Sequence, residues 1–326
     1  MKRGLVLAGA VVCSLSCSQD TNLVSPTDDS NFAVYFLKND SLTAGEVVNC
    51  PLSQLELKAA PWFDAGDIAF YDFSTHCIYL KGDKTSLFEY FALGHFQPPL
   101  IDRPFVVAVG GNPRYLGCVR SGLLSTMPPA PYISELDVWH YPEDVVHISR
   151  DRVESQDPRS DPLVRDALVQ TGLFHRGLTL ELTSVSVIRN ADTSTVQYRF
   201  TLRNDDRDAL YTIDPDRSGG DLFHYYTNGV VFSRETQPSI WSEYKAVAAP
   251  FPHDSWQPSS FTRIGSGQSI KRTVTLRAYP RIPTGVYSCD LTYSGPKKIG
   301  RSQRSLADGR YWIGEIESNT ITVAIN

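Results

Sequence analysis

Leu178-Thr179-Leu180-Glu181-Leu182-Thr183-Ser184-Val185-Ser186-Val187 alternates apolar and polar side chains, the period of a strand with one face buried and one in water. Val196-Gln197-Tyr198-Arg199-Phe200-Thr201-Leu202 repeats the pattern after an Asn190-Ala191-Asp192 turn. Further strands are expected at residues 222–226, 229–232, 269–276, 285–293 and 320–325. Regular short strands of this kind predict an all-β sandwich of about seven strands, spanning residues 178–326.

Working back from that stretch, Asp157-Pro158-Arg159 and Asp161-Pro162 mark a helix start, and Leu163, Val164, Ala167 and Leu168 carry helical spacing up to Gly172. Residues 151–177 are therefore expected to form a helical connector. Before it, residues 32–150 predict an α+β domain. Phe32–Leu37, Leu52–Leu57 and part of Phe70–Leu80 read as strands, and Thr85 or Ser86 can cap a short helix carrying Leu87, Phe88, Phe91 and Leu93. Phe105-Val106-Val107-Ala108-Val109, the turn residues Gly110-Gly111-Asn112-Pro113 and Tyr115–Val119 predict a hairpin. Pro128-Pro129-Ala130-Pro131 is a stiff link into the strand at Tyr132-Ile133. A length of 326 residues fits about two such domains.

The first residues address the chain. Lys2 and Arg3 precede an apolar run from Leu5 to Cys13, too short to cross a bilayer, and Ser14-Leu15-Ser16-Cys17 follows. This segment resembles the lipobox of bacterial lipoproteins, although Ser14 stands where that family prefers Leu. The resemblance implies a signal peptide over residues 1–16, acylation of Cys17, and a protein held on an envelope membrane by its lipid. Ser18 is not the aspartate that retains many lipoproteins at the inner membrane, which implies the outer membrane. Residues 17–31, rich in Ser, Thr, Asp and Asn, read as a flexible tether.

Composition narrows the chemistry. With 31 basic against 36 acidic residues, a net charge of −5 offers no clustered cationic excess for a nucleic-acid backbone. Beyond Cys13 and Cys17, four cysteines remain: Cys50, Cys77, Cys118 and Cys289. Export permits disulfides in three connectivities, while the apolar runs around Cys77, Cys118 and Cys289 equally suit small buried hydrophobes. Asp64, Asp67 and Asp72 near Trp62 are acids of a conceivable hydrolase, or turn carboxylates. His140, Glu143, Asp144 and His147 lie close in sequence, but Pro142 interrupts the helix that a shared metal would need. Asp214-Pro215-Asp216-Arg217-Ser218-Gly219 opens like a calcium loop, yet position twelve is Tyr225. No nucleophile motif and no phosphate-binding glycine signature occurs, so no catalytic residue, metal or cofactor is assigned. Exposed aromatics on sandwich loops are the expected ligand contacts, above all Trp241, Tyr244 and Trp256.

Two further resemblances concern the fold. Val196–Asn204, Gly267-Gln268-Ser269 and Pro283-Thr284-Gly285-Val286-Tyr287 resemble an immunoglobulin-like sandwich of the proteinase-inhibitor-like kind. Residues 52–133, with Asp67-Ile68, Phe105–Val109 and Gly111-Asn112, are similar to the periplasmic head of the SecD translocase subunit. Together these readings imply a lipid-anchored, non-catalytic module of the bacterial cell envelope that binds a protein or glycan partner; an extracytoplasmic hydrolase using Asp67 and Asp72, or a protease inhibitor, are the alternatives. Intact-mass spectrometry of the protein from its native membrane fraction is expected to show an acylated Cys17. The added mass should vanish in Cys17→Ala, and a soluble, unmodified chain would remove the anchor.

Overall fold

The computed structural model describes residues 31–84, 102–121, 128–150, 157–219, 223, 227, 229–234, 237–242, 258–297, 299 and 305–326. The expected helix after Asp83, the Cys17 anchor and the tether up to Ser30 lie outside these residues. The described residues are mostly β, with half of them in strands. Its first half forms β1 (Phe32–Phe36), α1 (Ala44–Val47), β2 (Phe63–Asp64), β3 (Ile68–Asp72), β4 (Cys77–Leu80), β5 (Arg103–Val109), β6 (Asn112–Arg120), β7 (Tyr132–Ser134), α2 (Glu135–His140), β8 (Val145–His147), α3 (Pro162–Gln170) and β9 (Phe174–His175). The second half adds β10 (Leu178–Arg189), β11 (Thr193–Asn204), β12 (Ala209–Ile213), α4 (Pro215–Ser218), β13 (Val230–Arg234), β14 (Gln237–Ile240), β15 (Phe261–Ile264), β16 (Ser269–Pro280), β17 (Gly285–Ser294), β18 (Ser305–Leu306), β19 (Gly309–Tyr311), β20 (Glu315–Glu317) and β21 (Ile321–Ile325).

Two sheets, ordered β2-β1-β5-β6-β7 and β8-β4-β3-β9, build the first half. The β5–β6 hairpin turns on Gly110 and Gly111 at φ +55° and +76°, the left-handed pair that a two-residue loop demands. Pro113 is tolerated in β6 because the register shifts beside its partner Ala108. Phe32, Val34, Phe63, Tyr71, Ile78 and Val107 form a core shared by both sheets. The helix expected as a connector is part of this body: Asp161 caps it through Leu163 N at 2.7 Å, and Val164 and Leu168 are buried in the same core. β9 then pairs parallel with β3. The strand expected over Leu52–Leu57 is instead a 3₁₀ turn at Leu52–Gln54 and a single bridge from Leu57 to Leu37. Leu52 and Leu55 are three apart, which sets them on one side of such a turn, and both pack with Val47 and Val106.

Three sheets enclose the second core: β10-β11-β16, β15-β12-β19-β18 and β14-β13-β17-β20, with β21 also on β17. The alternating stretch became β10, its inward Leu178, Leu180 and Leu182 set against outward Thr179, Glu181 and Thr183. A bulge between Leu182 and Ser184 resets the phase there. Gly309 lets β19 run parallel beside β12, since a Cβ there would sit 2.2 Å from the Ala209 carbonyl oxygen. Trp312, Tyr198, Phe200, Tyr293 and Phe232 fill the interior. Cys77, Cys118 and Cys289 are buried free thiols, and Cys50 is an exposed one. Burial pushes the Cys118 and Cys289 thiols up to about 12.

The halves are locked by a buried charge cluster. Arg310 Nη2 donates to Asp72 Oδ2 at 2.7 Å and to Asp206 Oδ2 at 2.8 Å, joining β19, β3 and the loop after β11. Its guanidinium lies 4.9 Å from the Phe70 ring centroid, and Phe70 stacks on Tyr79. His175 Nδ1 meets Asp206 Oδ1 at 2.9 Å, while Arg207 approaches His175 Nε2 at 2.9 Å. The second half also inserts Ile313 among Cys77, Tyr79, Tyr141 and Val145. Arg310→Met would take the guanidinium from both buried carboxylates, leaving Asp206 to His175 and Asp72 to the Ser74 hydrogen bonds. Urea unfolding should show a loss of about 3–5 kcal/mol, and a loss below 1 kcal/mol would deny Arg310 this part.

Candidate functional site

One side of the seam opens into a cleft of about 600 Å³ lined by both halves, a volume in the range of small-molecule pockets. The first half supplies the turn Phe73–His76 between β3 and β4. Asp72 Oδ1 pins that turn by accepting from Ser74 N at 3.1 Å and Ser74 Oγ at 2.6 Å. Ser74 Oγ accepts in return from Leu178 N and Trp312 Nε1, each at 3.3 Å. The turn is thus tied to the second half on its far side. His76 sits at φ +53°, a cost that the surrounding contacts must hold in place.

Beside the turn, charges are paired within the wall. Arg159 forks onto Asp157 through Nε at 3.0 Å and Nη2 at 2.8 Å, and its Nη1 donates to the Ile148 carbonyl. His76 Nε2 is 3.7 Å from Asp157 Oδ2, and its Nδ1 is 3.1 Å from the Tyr71 hydroxyl. Burial, with the Arg159 charge added, pushes His76 well below its ordinary value and keeps it neutral. The second half presents Glu315 and Glu317 on the same face of β20, opposite Ser294 and Thr292 of β17. Trp241, directly after β14, is 53% exposed and lines the cleft.

A Ser, His and Asp meet at this wall. His147 Nδ1 donates to Asp137 Oδ2 at 3.0 Å, and Ser149 Oγ also donates to Asp137 Oδ2, at 2.8 Å. Ser149 Oγ is 3.0 Å from His147 Nδ1. Serine and aspartate therefore address the same ring nitrogen. A hydrolytic triad needs them on opposite nitrogens, so that the imidazole can pass a proton from one side while held on the other. This group fixes a ring and does not activate a hydroxyl.

The sequence-derived candidates divide sharply. Trp241 belongs to the cleft, whereas Tyr244 and Trp256 lie outside the described residues, as do Tyr225 and Asp221 of the calcium-like loop. Asp214 of that loop is buried and held by Arg272 and Thr262, and it caps α4 through Asp216 N. Its oxygens serve the fold, which answers the calcium reading with a capped turn. His140 and Glu143 are exposed while His147 turns inward to Asp137, so these residues do not converge on one ion. Among the described residues, His175, Asp206 and Asp208 bring ligand atoms within 4.8 Å. Arg310 and Arg207 already occupy Asp206 and His175, and a cation there would meet two guanidinium groups. Asp67 accepts from Asp64 N in an exposed turn and Asp72 is sealed under Arg310; neither faces the cleft as a reacting acid. Sequence reasoning missed Thr75, Thr227, Asp157, Arg159, Glu315 and Glu317, whose common trait is the seam itself.

No protein-family model matches the chain, and no curated protein matches it. Among the described residues no helix is long and apolar enough to cross a membrane.

Acid should loosen this wall. Burial would raise Asp137, but the hydrogen bond from His147, its charge, Lys297 and Ser149 together bring it down to about 2. A carboxyl depressed in the folded state stabilises it fully above the unfolded value, and that contribution is lost as pH falls toward the folded one. It amounts to about 2 kcal/mol. Asp137→Asn should lower stability by about that much at pH 7 and flatten the loss between pH 5 and 2; an unchanged acid limb in urea titrations would contradict the assignment.

Proposed function

We propose that this protein is a lipid-anchored binding protein of a bacterial cell envelope, which captures a polar ligand in the seam cleft and releases it unchanged. The observation that carries this reading is the cleft wall, where Arg159 with Asp157, His76 with Tyr71 and His147 with Asp137 and Ser149 are fixed by mutual pairing in the first half and faced by Glu315 and Glu317 of the second. Preorganised polar groups favour binding because little ordering is left to be done. The shared ring nitrogen of Ser149 and Asp137 supports capture over hydrolysis. The lipobox at Cys17 supports the anchor.

For the second half we propose an immunoglobulin-like sandwich. Support comes from three sheets around one core and from Tyr287, whose hydroxyl donates to the Pro283 carbonyl four residues upstream at 2.9 Å. A tyrosine bonded back to its own approach loop is a device of such sandwiches.

The test is recovery of the ligand. Full-length protein is incubated with an extract of envelope small molecules and washed, and what it retains is released by denaturation and identified by mass spectrometry. A compound should come back intact from the wild type and be absent from Ser160→Trp, which fills the cleft from an exposed position. Chemical conversion of the compound, or equal retention by that variant, would count against capture in the cleft.

A further inference from the structure

The cleft's chemistry also narrows what it holds, and this step rests on the reading of the cleft as the binding site. We propose that its ligand is a neutral sugar of one or two rings, with one ring face stacked on Trp241 and its hydroxyls shared between the two halves.

Charge excludes the obvious alternatives. Arg150 and Arg159 stand with Asp157 in the first-half wall, and Glu315 and Glu317 face them from the second. Neither sign dominates the cleft, so no field concentrates a phosphate, a carboxylate or an ammonium group. Arg159 and Asp157 are moreover engaged with each other through two parallel bonds. That pair is therefore closed to the two ends of a zwitterion such as a dipeptide, since breaking a buried ion pair is costly. An uncharged ligand loses nothing to this balance.

Hydroxyl chemistry points the same way. Ser74, Thr75, Ser149, Thr227, Thr292 and Ser294 all line the cleft. Ser74 and Ser149 already give their hydrogens to Asp72 and Asp137, while Thr292 and Ser294 of β17 bring hydroxyls of the kind that both donate and accept, which is what a sugar hydroxyl asks of its neighbours. Thr75 is 2% and Thr227 1% exposed. Among the described residues Thr75 Oγ1 reaches no oxygen or nitrogen partner and lies beside the Cys77 thiol, and the Oγ1 of Thr227 has no hydrogen-bond partner. A buried hydroxyl without a partner is costly. Thr75 comes from the β3–β4 turn and Thr227 from the second half, so each half brings an under-bonded hydroxyl to the cleft lining.

Trp241 supplies the apolar part. Its indole offers a flat face with negative potential, suited to the C–H bonds on one side of a pyranose ring. Trp139 is a second exposed indole, at 61%, on α2 and outside the cleft lining. It is the internal control.

The experiment is titration of the full-length protein, followed by calorimetry and tryptophan fluorescence. The neutral probes are glucose, galactose, mannose, N-acetylglucosamine, maltose, cellobiose, lactose and diacetylchitobiose; the charged comparators are glucose 6-phosphate, glucuronate and glycylglycine. At least one neutral saccharide should bind with a millimolar or lower Kd, and the charged comparators at least tenfold more weakly. Trp241→Ala should weaken binding tenfold or more and abolish the fluorescence change, while Trp139→Ala leaves both unchanged. Tighter binding of a charged comparator would overturn the sugar and leave the cleft as a binding site. Silence from every probe while the extract still yields a cleft-dependent ligand would likewise reject the sugar alone. Silence together with an empty extract experiment would reject both readings.

Discussion

Arg310 holds the molecule together at a point where two carboxylates would otherwise repel each other. Asp72 belongs to the first core's sheet and Asp206 to a loop of the second, and one nitrogen of the guanidinium bonds both. A lysine could supply the charge but not a planar group that lies over the Phe70 ring while donating in two directions. Taking three charges out of water is expensive, and such a cluster specifies one arrangement of the two halves more than it adds to net stability. Everything at the seam depends on that arrangement. The same Asp72 that receives Arg310 also pins Ser74, so the lock and the cleft wall are built on one four-residue turn.

Local signals were readable in the chain and distant ones were not. Period-two alternation located β10 and β11, because one face of each meets a core and the other meets water. Gly110-Gly111 located the β5–β6 turn, because a two-residue loop requires positive φ. Leu52–Leu57 misled, since leucines with mixed spacing fit a half-buried turn as well as a strand. Short strands such as β12, β15 and β19 carried too few residues for any period to show. Arg310 and Asp72 are 238 residues apart, and nothing near either announces a partner. Trp241 was legible as an exposed aromatic beside a strand. The under-bonded threonines were not, because a buried under-bonded hydroxyl is a property of three-dimensional neighbours.

Histidine, serine and aspartate together do not make an enzyme. At Asp137, His147 and Ser149 the composition of a hydrolytic site is present, yet both partners crowd one nitrogen of the ring. The arrangement spends its hydrogen bonds on rigidity. The same economy governs Arg159 and Asp157, which neutralise each other and leave a wall in which charges of both signs are mixed.

The buried thiols bear on how such a chain survives its own synthesis. Cys77, Cys118 and Cys289 are sealed in cores, and burial, helped by the charges of Asp102 near Cys118 and Asp290 near Cys289, holds those two almost wholly protonated at neutral pH. Since the thiolate is the form that oxidants attack, the folded protein protects them without any reductant. Before folding the same thiols are ordinary and reactive. For a chain that folds in an oxidising compartment, as proposed, the hazard is therefore a race in time: collapse of the cores must outrun oxidation during export, and a variant that folds slowly would be lost to wrong disulfides even if its final stability were unimpaired.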